Sequence, residues 1–340
     1  MGGRVTPPTS LYDEYLEAIE DDLRRAALPF ESGTYGELIA MVAYHHGWAG
    51  EGTGRGKRVR PLLTVLSCQA CGGDWHTALP AASAVELIHN FSLVHDDIED
   101  QSATRRGRPT MWATWGVPQA LNTGDALFAL ARLSLLRLLV TGLPAPAVLA
   151  AQERLDRACL SLTQGQHLDI AFETRDGIHE PAYLEMVEGK TAALLSAAAS
   201  IGATVAGAGS KRVEQLERFG RHLGLAFQMQ DDILGIWGDP AVTGKPSGDD
   251  LVCRKKTLPT LLGLERSDAF GALWRSAGSE PDGLAAMRRE LEDCGALRAT
   301  QVAAADHTGR ALRSLAEATP TEPAASLIGS LSRQMLGRQS

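Results

Sequence analysis

Apolar residues recur at i, i+3, i+4 and i+7 through most of the chain, while sustained alternation of β-branched and polar residues is absent. This spacing predicts helices over 11–28, 34–48, 58–72, 76–101, 117–140, 145–172, 181–208, 210–237 and 250–264, with further helix in pieces across 278–335. Glycine and proline punctuate them in GEGTGRG at 50–56, GLPAPA at 142–147 and WGDPAVTGKPSG at 237–248. Segment 196–209, SAAASIGATVAGAG, is built almost entirely of small residues and predicts close helix–helix approach rather than the lining of an open space. No internal repeat of fixed period interrupts the pattern. The fold class it implies is all-α, a large single-domain helical bundle over 1–340, with 1–10 as a flexible N-terminus.

Composition narrows the function classes. The chain has 340 residues, 44% hydrophobic, and a net charge of −8, so it can bury a sizeable core and gives a nucleic-acid partner no electrostatic support. No apolar run approaches the roughly 18 residues of a membrane span, and MGGRVTPPTS lacks the apolar region of a secretory signal. Gly2 and Thr6 match only the loose pattern for myristoylation. Five cysteines make no disulfide framework, and a cytoplasmic location is expected. Cys68 and Cys71 form a CxxC pair, but neither a second pair nor paired histidines accompany it. They read as small residues in an apolar run.

The chemistry concentrates in LVHDDIEDQSATRRGRPT, residues 93–110. On a helix Asp96 and Asp100 share a face, with Asp97 about 100° round the axis. They end the apolar run AVELIHNFSLV, and acids at the end of a buried helix need a counter-charge. Hard carboxylate oxygens suit Mg²⁺, which commonly bridges one or two carboxylates to substrate phosphates. Asp231 and Asp232 end a second apolar run, LGLAFQMQ. The bases are Lys57, Arg58 and Arg60 in GRGKRVRP, Arg105 and Arg106 after the first acids, Lys190 in EGKTAALL and Lys245 in TGKPSGDD. A nucleotide P-loop is excluded: Glu51 stands where its first glycine belongs, Arg58 replaces Ser/Thr, and no strand precedes it. Arginine forks and lysine point charges bind phosphate oxygens. The residue types therefore support two diphosphates, one held through metal and one not.

HDDIEDQSATRRGRPT resembles the first aspartate-rich motif and paired arginines of the trans-isoprenyl diphosphate synthases. GKRVRP, EGKTAAL and FQMQDDILGIWGDPAVTGKPSGDD match that family in order, over roughly residues 30–335. The resemblance implies an all-α bundle of the isoprenoid synthase type with a central substrate cavity, usually a homodimer, using Mg²⁺. It implies that Asp96 and Asp100 bind the metal with Asp97 supporting, and that Asp231, with Asp232 beside it, does so from the opposite helix. Lys57, Arg60, His89 and Arg106 would hold isopentenyl diphosphate. Arg105, Lys190 and Lys245 would hold the allylic diphosphate, with Lys190, Thr191 and Gln228 near the developing cation. The second motif is commonly DDxxD, whereas Gly235 stands at its last position here. If a ligand is simply missing, Gly235→Asp should leave turnover within about tenfold or improve it; Asp239, about 80° further round, is poorly placed to compensate. Phe91 and Ser92, five and four positions before Asp96, resemble a chain-length pattern that gives C20, geranylgeranyl diphosphate; farnesyl or longer diphosphates are the alternatives. A class I terpene cyclase would need no second diphosphate pocket, and a non-catalytic subunit would tend to lose the first acidic motif.

Overall fold

The computed structural model describes residues 10–28, 33–49, 56–239, 248–276 and 280–337. In chain order the helices are α1 (Leu11–Ala27), α2 (Gly36–His45), α3 (Val59–Ala70), α4 (Leu79–Glu99), α5 (Met111–Trp115), α6 (Val117–Leu136), α7 (Ala145–Thr174), α8 (Glu180–Val187), α9 (Ala193–Val205) and α10 (Ser210–Trp237). They continue with α11 (Asp249–Val252), α12 (Leu258–Arg266), α13 (Asp268–Ser276), α14 (Pro281–Asp293), α15 (Ala296–Glu317) and α16 (Ala324–Leu336). The all-α expectation holds. Strand is confined, among the described residues, to the two-residue segments β1 (Thr104–Arg105) and β2 (Arg108–Pro109).

Local chemistry explains the helix ends. Ser10 caps α1 by accepting the Asp13 N–H at 3.3 Å, and Arg24 and Arg25 sit in the last turn, where the helix dipole favours positive charge. Thr257 and Thr260 form a capping box at the start of α12, which carries Pro259 in its first turn. One predicted helix is more elaborate than its periodicity suggests. Segment 181–208 runs from α8 into α9 through a π-helical turn at Glu188–Ala192.

The contacts group the residues into two compact units. The first comprises residues up to 156, 197–213 and 320–328; the second comprises 157–196, 214–319 and 329 onward. The chain passes between them inside α7, α9, α10 and α16, and once more between α15 and α16.

In the first unit α4 packs mainly on α6, and also on α1 and α3. Its inward positions Ala81, Ala84, Val85, Leu87 and Ile88 are buried. Each fully buried branched side chain contributes roughly 1.5–3 kcal/mol. The small-residue stretch behaves as predicted: a Cβ on Gly202 would overlap the Thr64 carbonyl and touch the Ser67 Cβ at 2.9 Å. Cys68 is fully buried, and burial pushes its thiol up to about 12, which makes it an inert core residue. A buried ionic group fixes the segment ahead of α3. Arg58, in a left-handed conformation (φ 47°), pairs with Glu86 at 2.7 Å and Glu20 at 3.0 Å and donates to the His46 carbonyl at 3.2 Å.

The second unit has its own core, in which Phe172, Tyr183, Leu225, Met229, Phe270, Met287 and Leu291 belong to one buried cluster. Here α7 meets the π-helical turn with no room to spare. A Cβ on Gly165 would overlap the Lys190 backbone N, and one on Gly189 would stand 2.9 Å from the Gly165 Cα.

Candidate functional site

In the first unit the acidic end of α4 and the arginines after it are brought together by a tight hairpin. Thr104 pairs with Pro109 and Arg105 with Arg108, leaving Arg106 and Gly107 as a two-residue loop. Both have positive φ, 53° and 74°, as a type I′ turn requires. Arg105 then reaches back to donate to Asp97 at 2.8 Å. Asp97 is buried, and burial pushes its carboxyl up against the pull of Arg105. Asp97 thereby ties the hairpin to α4. Asp96 is partly buried and Asp100 exposed, one turn apart, with the Asp100 N–H bonded to the Asp96 carbonyl at 2.8 Å.

The basic residues expected to hold isopentenyl diphosphate gather nearby. Arg60 lies 3.3 Å from His89 Nε2; since a guanidinium only donates, Nε2 accepts and the imidazole carries its proton on Nδ1. Burial, then Arg60, Arg106 and Arg105, push the His89 pKa well below its usual range, so the ring is neutral at pH 7. Burial likewise lowers the pKa of Arg60 and of Arg106. The Arg106 guanidinium lies against the Gly56 backbone, 2.9 Å from where a Cβ would stand, and Lys57 is the next residue. A pocket between α2 and the hairpin is lined by Tyr44, His45, Asp97, Arg105 and Arg106, among others. Sequence reasoning missed His45, whose type and spacing carry no motif.

Phe91 and Ser92 lie on α4 below the acids. Ser92 is buried and its hydroxyl donates to the His89 carbonyl at 2.8 Å. Phe91 packs edge-on against His95, with ring centroids 4.8 Å apart, and tilted against Phe128 of α6 at 5.1 Å.

The second unit holds the other set. Lys190, in the π-helical turn, pairs with Asp169 of α7. Thr191 Oγ1 donates to Gln228 at 2.9 Å, and Gln228 Nε2 donates to Asp232 at 2.9 Å. Asp232 also accepts the Tyr183 hydroxyl at 2.6 Å and the Leu258 N–H at 3.0 Å. It is buried, and burial raises its pKa while these donors oppose the rise. Asp232 is thereby a hub that orients Gln228 and caps α12. Asp231, one position earlier, is partly buried. Tyr183 and Asp169 were not anticipated, because their roles depend on contacts across helices. Lys245 lies outside the described residues.

Gly235 is not a vacancy. A Cβ there would overlap the Asp250 carboxylate, so that acid stands over the helix face one turn beyond Asp231. The expectation that Gly235→Asp restores a missing group is therefore corrected. An acid already fills the place.

The donors fit magnesium. Among the described residues no three His, Cys, Asp or Glu side chains form a closed metal cage. Two carboxylates on one turn, Asp96 and Asp100, are what Mg²⁺ uses when waters and phosphate oxygens complete its shell.

Residues 51–289 match the sequence profile of the family described as Polyprenyl synthetase. The chain is 48% identical over 288 residues to a geranylgeranyl diphosphate synthase of Mycobacterium tuberculosis, covering 79% of this chain and 80% of that protein. It is 43% identical over 302 residues to a (2E,6E)-farnesyl diphosphate synthase of the same species, covering 84% and 82%. It superposes on a crystal structure of a polyprenyl synthetase from Streptomyces coelicolor with a TM-score of 0.86 and 37% identity, over 95% of this chain and 98% of that one.

Proposed function

Since the chain belongs to the polyprenyl synthetase family and is a prenyltransferase, we propose that it condenses isopentenyl diphosphate with an allylic diphosphate and delivers mainly geranylgeranyl diphosphate. The observation that carries the site assignment is the hairpin. It sets Arg105 and Arg106 beside the acidic end of α4, with Asp97 as the tie.

Asp96 and Asp100, with Asp231 from the second acidic segment, are the residues that would hold Mg²⁺. When bound, the metal supplies Lewis-acid stabilisation of charge building on the leaving diphosphate. The remaining chemistry belongs to the protein's own groups. Arg105 and Lys190 neutralise the allylic diphosphate, and Lys190 is aimed by Asp169. Thr191 and Gln228 present oxygen dipoles to the cation left when the C–O bond ionises, and Asp232 and Tyr183 hold Gln228 in place. Lys57, Arg60, His89 and Arg106 hold isopentenyl diphosphate, whose double bond attacks C1 of that cation. A proton then leaves, taken by the released diphosphate, and the product is five carbons longer.

Phe91 supports the C20 reading. One bulky ring beneath the acids, braced by His95 and Phe128, stands beside the small Ser92 and leaves room for a tail of intermediate length. The protein works in the cytoplasm as a homodimer; no helix among the described residues is long and apolar enough to cross a membrane.

Incubation with isopentenyl and allylic diphosphates plus Mg²⁺, followed by product chain-length analysis, tests the reading. Asp96→Ala and Asp100→Ala should each lower turnover by several orders of magnitude with the fold intact. Near-normal turnover in either variant removes the acids from the mechanism.

A further inference from the structure

Among the polar atoms of the first unit buried without a hydrogen-bond partner are His45 Nε2, Thr110 Oγ1 and Arg60 Nε. Buried polar groups are nearly always paired, and each exception calls for water or a ligand. His45 and Thr110 line the same pocket as Arg105 and Arg106. Thr110 is 2% exposed and precedes α5, yet its hydroxyl caps nothing. The pocket also carries excess positive charge. Arg105 is paired with Asp97, whereas Arg106 has no carboxylate within ion-pair distance among the described residues. Two orphaned polar groups beside an uncompensated guanidinium suit one kind of guest, a phosphate-bearing anion.

The walls are held in place. The Tyr44 hydroxyl donates to the Pro109 carbonyl at 2.9 Å, Arg108 donates to the Tyr44 carbonyl at 2.7 Å, and the Arg108 guanidinium lies 3.9 Å from the Tyr44 ring centroid. His45, the last residue of α2, is thereby fixed against the hairpin that carries Arg106. Burial, then His46, Arg105, Arg106 and Arg58, keep its imidazole neutral, and a neutral imidazole has one N–H to give.

The geometry points to His45 and Thr110 as further ligands of isopentenyl diphosphate, donating Nε2–H and Oγ1–H to its diphosphate oxygens. The inference rests on the assignment of Arg106 to that substrate and adds two uncharged donors to it. Neutral donors complete the hydrogen bonding of a diphosphate without adding repulsion among the surrounding guanidiniums.

Calorimetric titration of the full-length protein with isopentenyl diphosphate, and separately with inorganic pyrophosphate, decides the matter. His45→Ala and Thr110→Val should each weaken isopentenyl diphosphate binding by about ten- to a hundredfold, the loss expected for one hydrogen bond to a charged group. Pyrophosphate should weaken in parallel, the KM for the allylic substrate should stay within about threefold, and Thr110→Ser should restore binding. Arg106→Ala is the reference. If it weakens isopentenyl diphosphate while His45→Ala and Thr110→Val, with unchanged melting, do not, the two orphaned atoms serve only water and this inference is overturned. If Arg106→Ala has no effect, the assignment of the pocket itself fails. A rise confined to the allylic KM assigns the donors to the other substrate and overturns the inference too.

Discussion

Gly235 shows how a single side chain can be misread when only its own element is considered. Along the helix it looks like a lost acid, but the Asp250 carboxylate occupies the space. Gly235→Asp should therefore reduce turnover at least tenfold and lower the melting temperature, since it forces overlap and sets like charges together. Unchanged activity and melting would show that Asp250 moves aside freely. His46 carries a pH consequence. It is fully buried, donates Nδ1–H to the Val42 carbonyl at 3.0 Å and stacks on Trp48 with centroids 4.5 Å apart. Burial, then Arg58, lowers its pKa from 6.5 to about 3. Below pH 6.5 the unfolded chain takes up a proton that the folded chain refuses, so stability is complete above that pH and falls by about 1.4 kcal/mol per pH unit towards pH 3. Urea unfolding of wild type and His46→Gln at pH 7.0 and about pH 5.5 should show the wild type losing about 1.4 kcal/mol more than the variant. Equal losses would mean that His46 takes up its proton in the folded state.

At the scale of elements, α4 joins the proposed metal site to the control of product length. Its rise of about 1.5 Å per residue puts Phe91 some 7 Å from Asp96 along the axis. Phe91→Ala should shift products beyond C20, until Ile88 or Val85, both fully buried on the same helix, stops the tail. Identical product lengths in wild type and variant would remove Phe91 as the floor. The helices themselves were legible because apolar spacing records which face is buried, and the acids and arginines were legible because charge at a buried helix end needs an explanation. The hairpin turn was harder to see, since Arg106 adopts a left-handed conformation that its side chain does not announce. The π-helical turn at Glu188–Ala192 was invisible for a related reason: only the overlap that Gly165 and Gly189 avoid marks the place. The partners of Asp97 and Asp232 were not legible, because residue type fixes charge, whereas Arg105 comes from the hairpin and Tyr183 from another helix.

On the whole molecule, the apolar residues left outside are the informative ones. Leu133, Leu136, Val140 and Leu149, on and just beyond α6 and at the start of α7, are 58%, 47%, 89% and 67% exposed. Exposed apolar side chains are a feature of association surfaces, and a second copy of this chain would cover them in the proposed homodimer. Light scattering should give twice the chain mass for wild type at micromolar concentration and the single mass for a Leu133→Glu/Val140→Glu double variant. A monomeric wild type would sink the dimer. The interleaving of the two units has a consequence for anyone dividing the gene. Each unit is assembled from three separate stretches of chain, so no single cut yields either one whole. Cutting between α7 and α8, at 175–179, gives two fragments that each carry part of both units. Such fragments should be inert when expressed alone and regain activity only on co-expression, which makes the enzyme a candidate for a two-piece genetic switch.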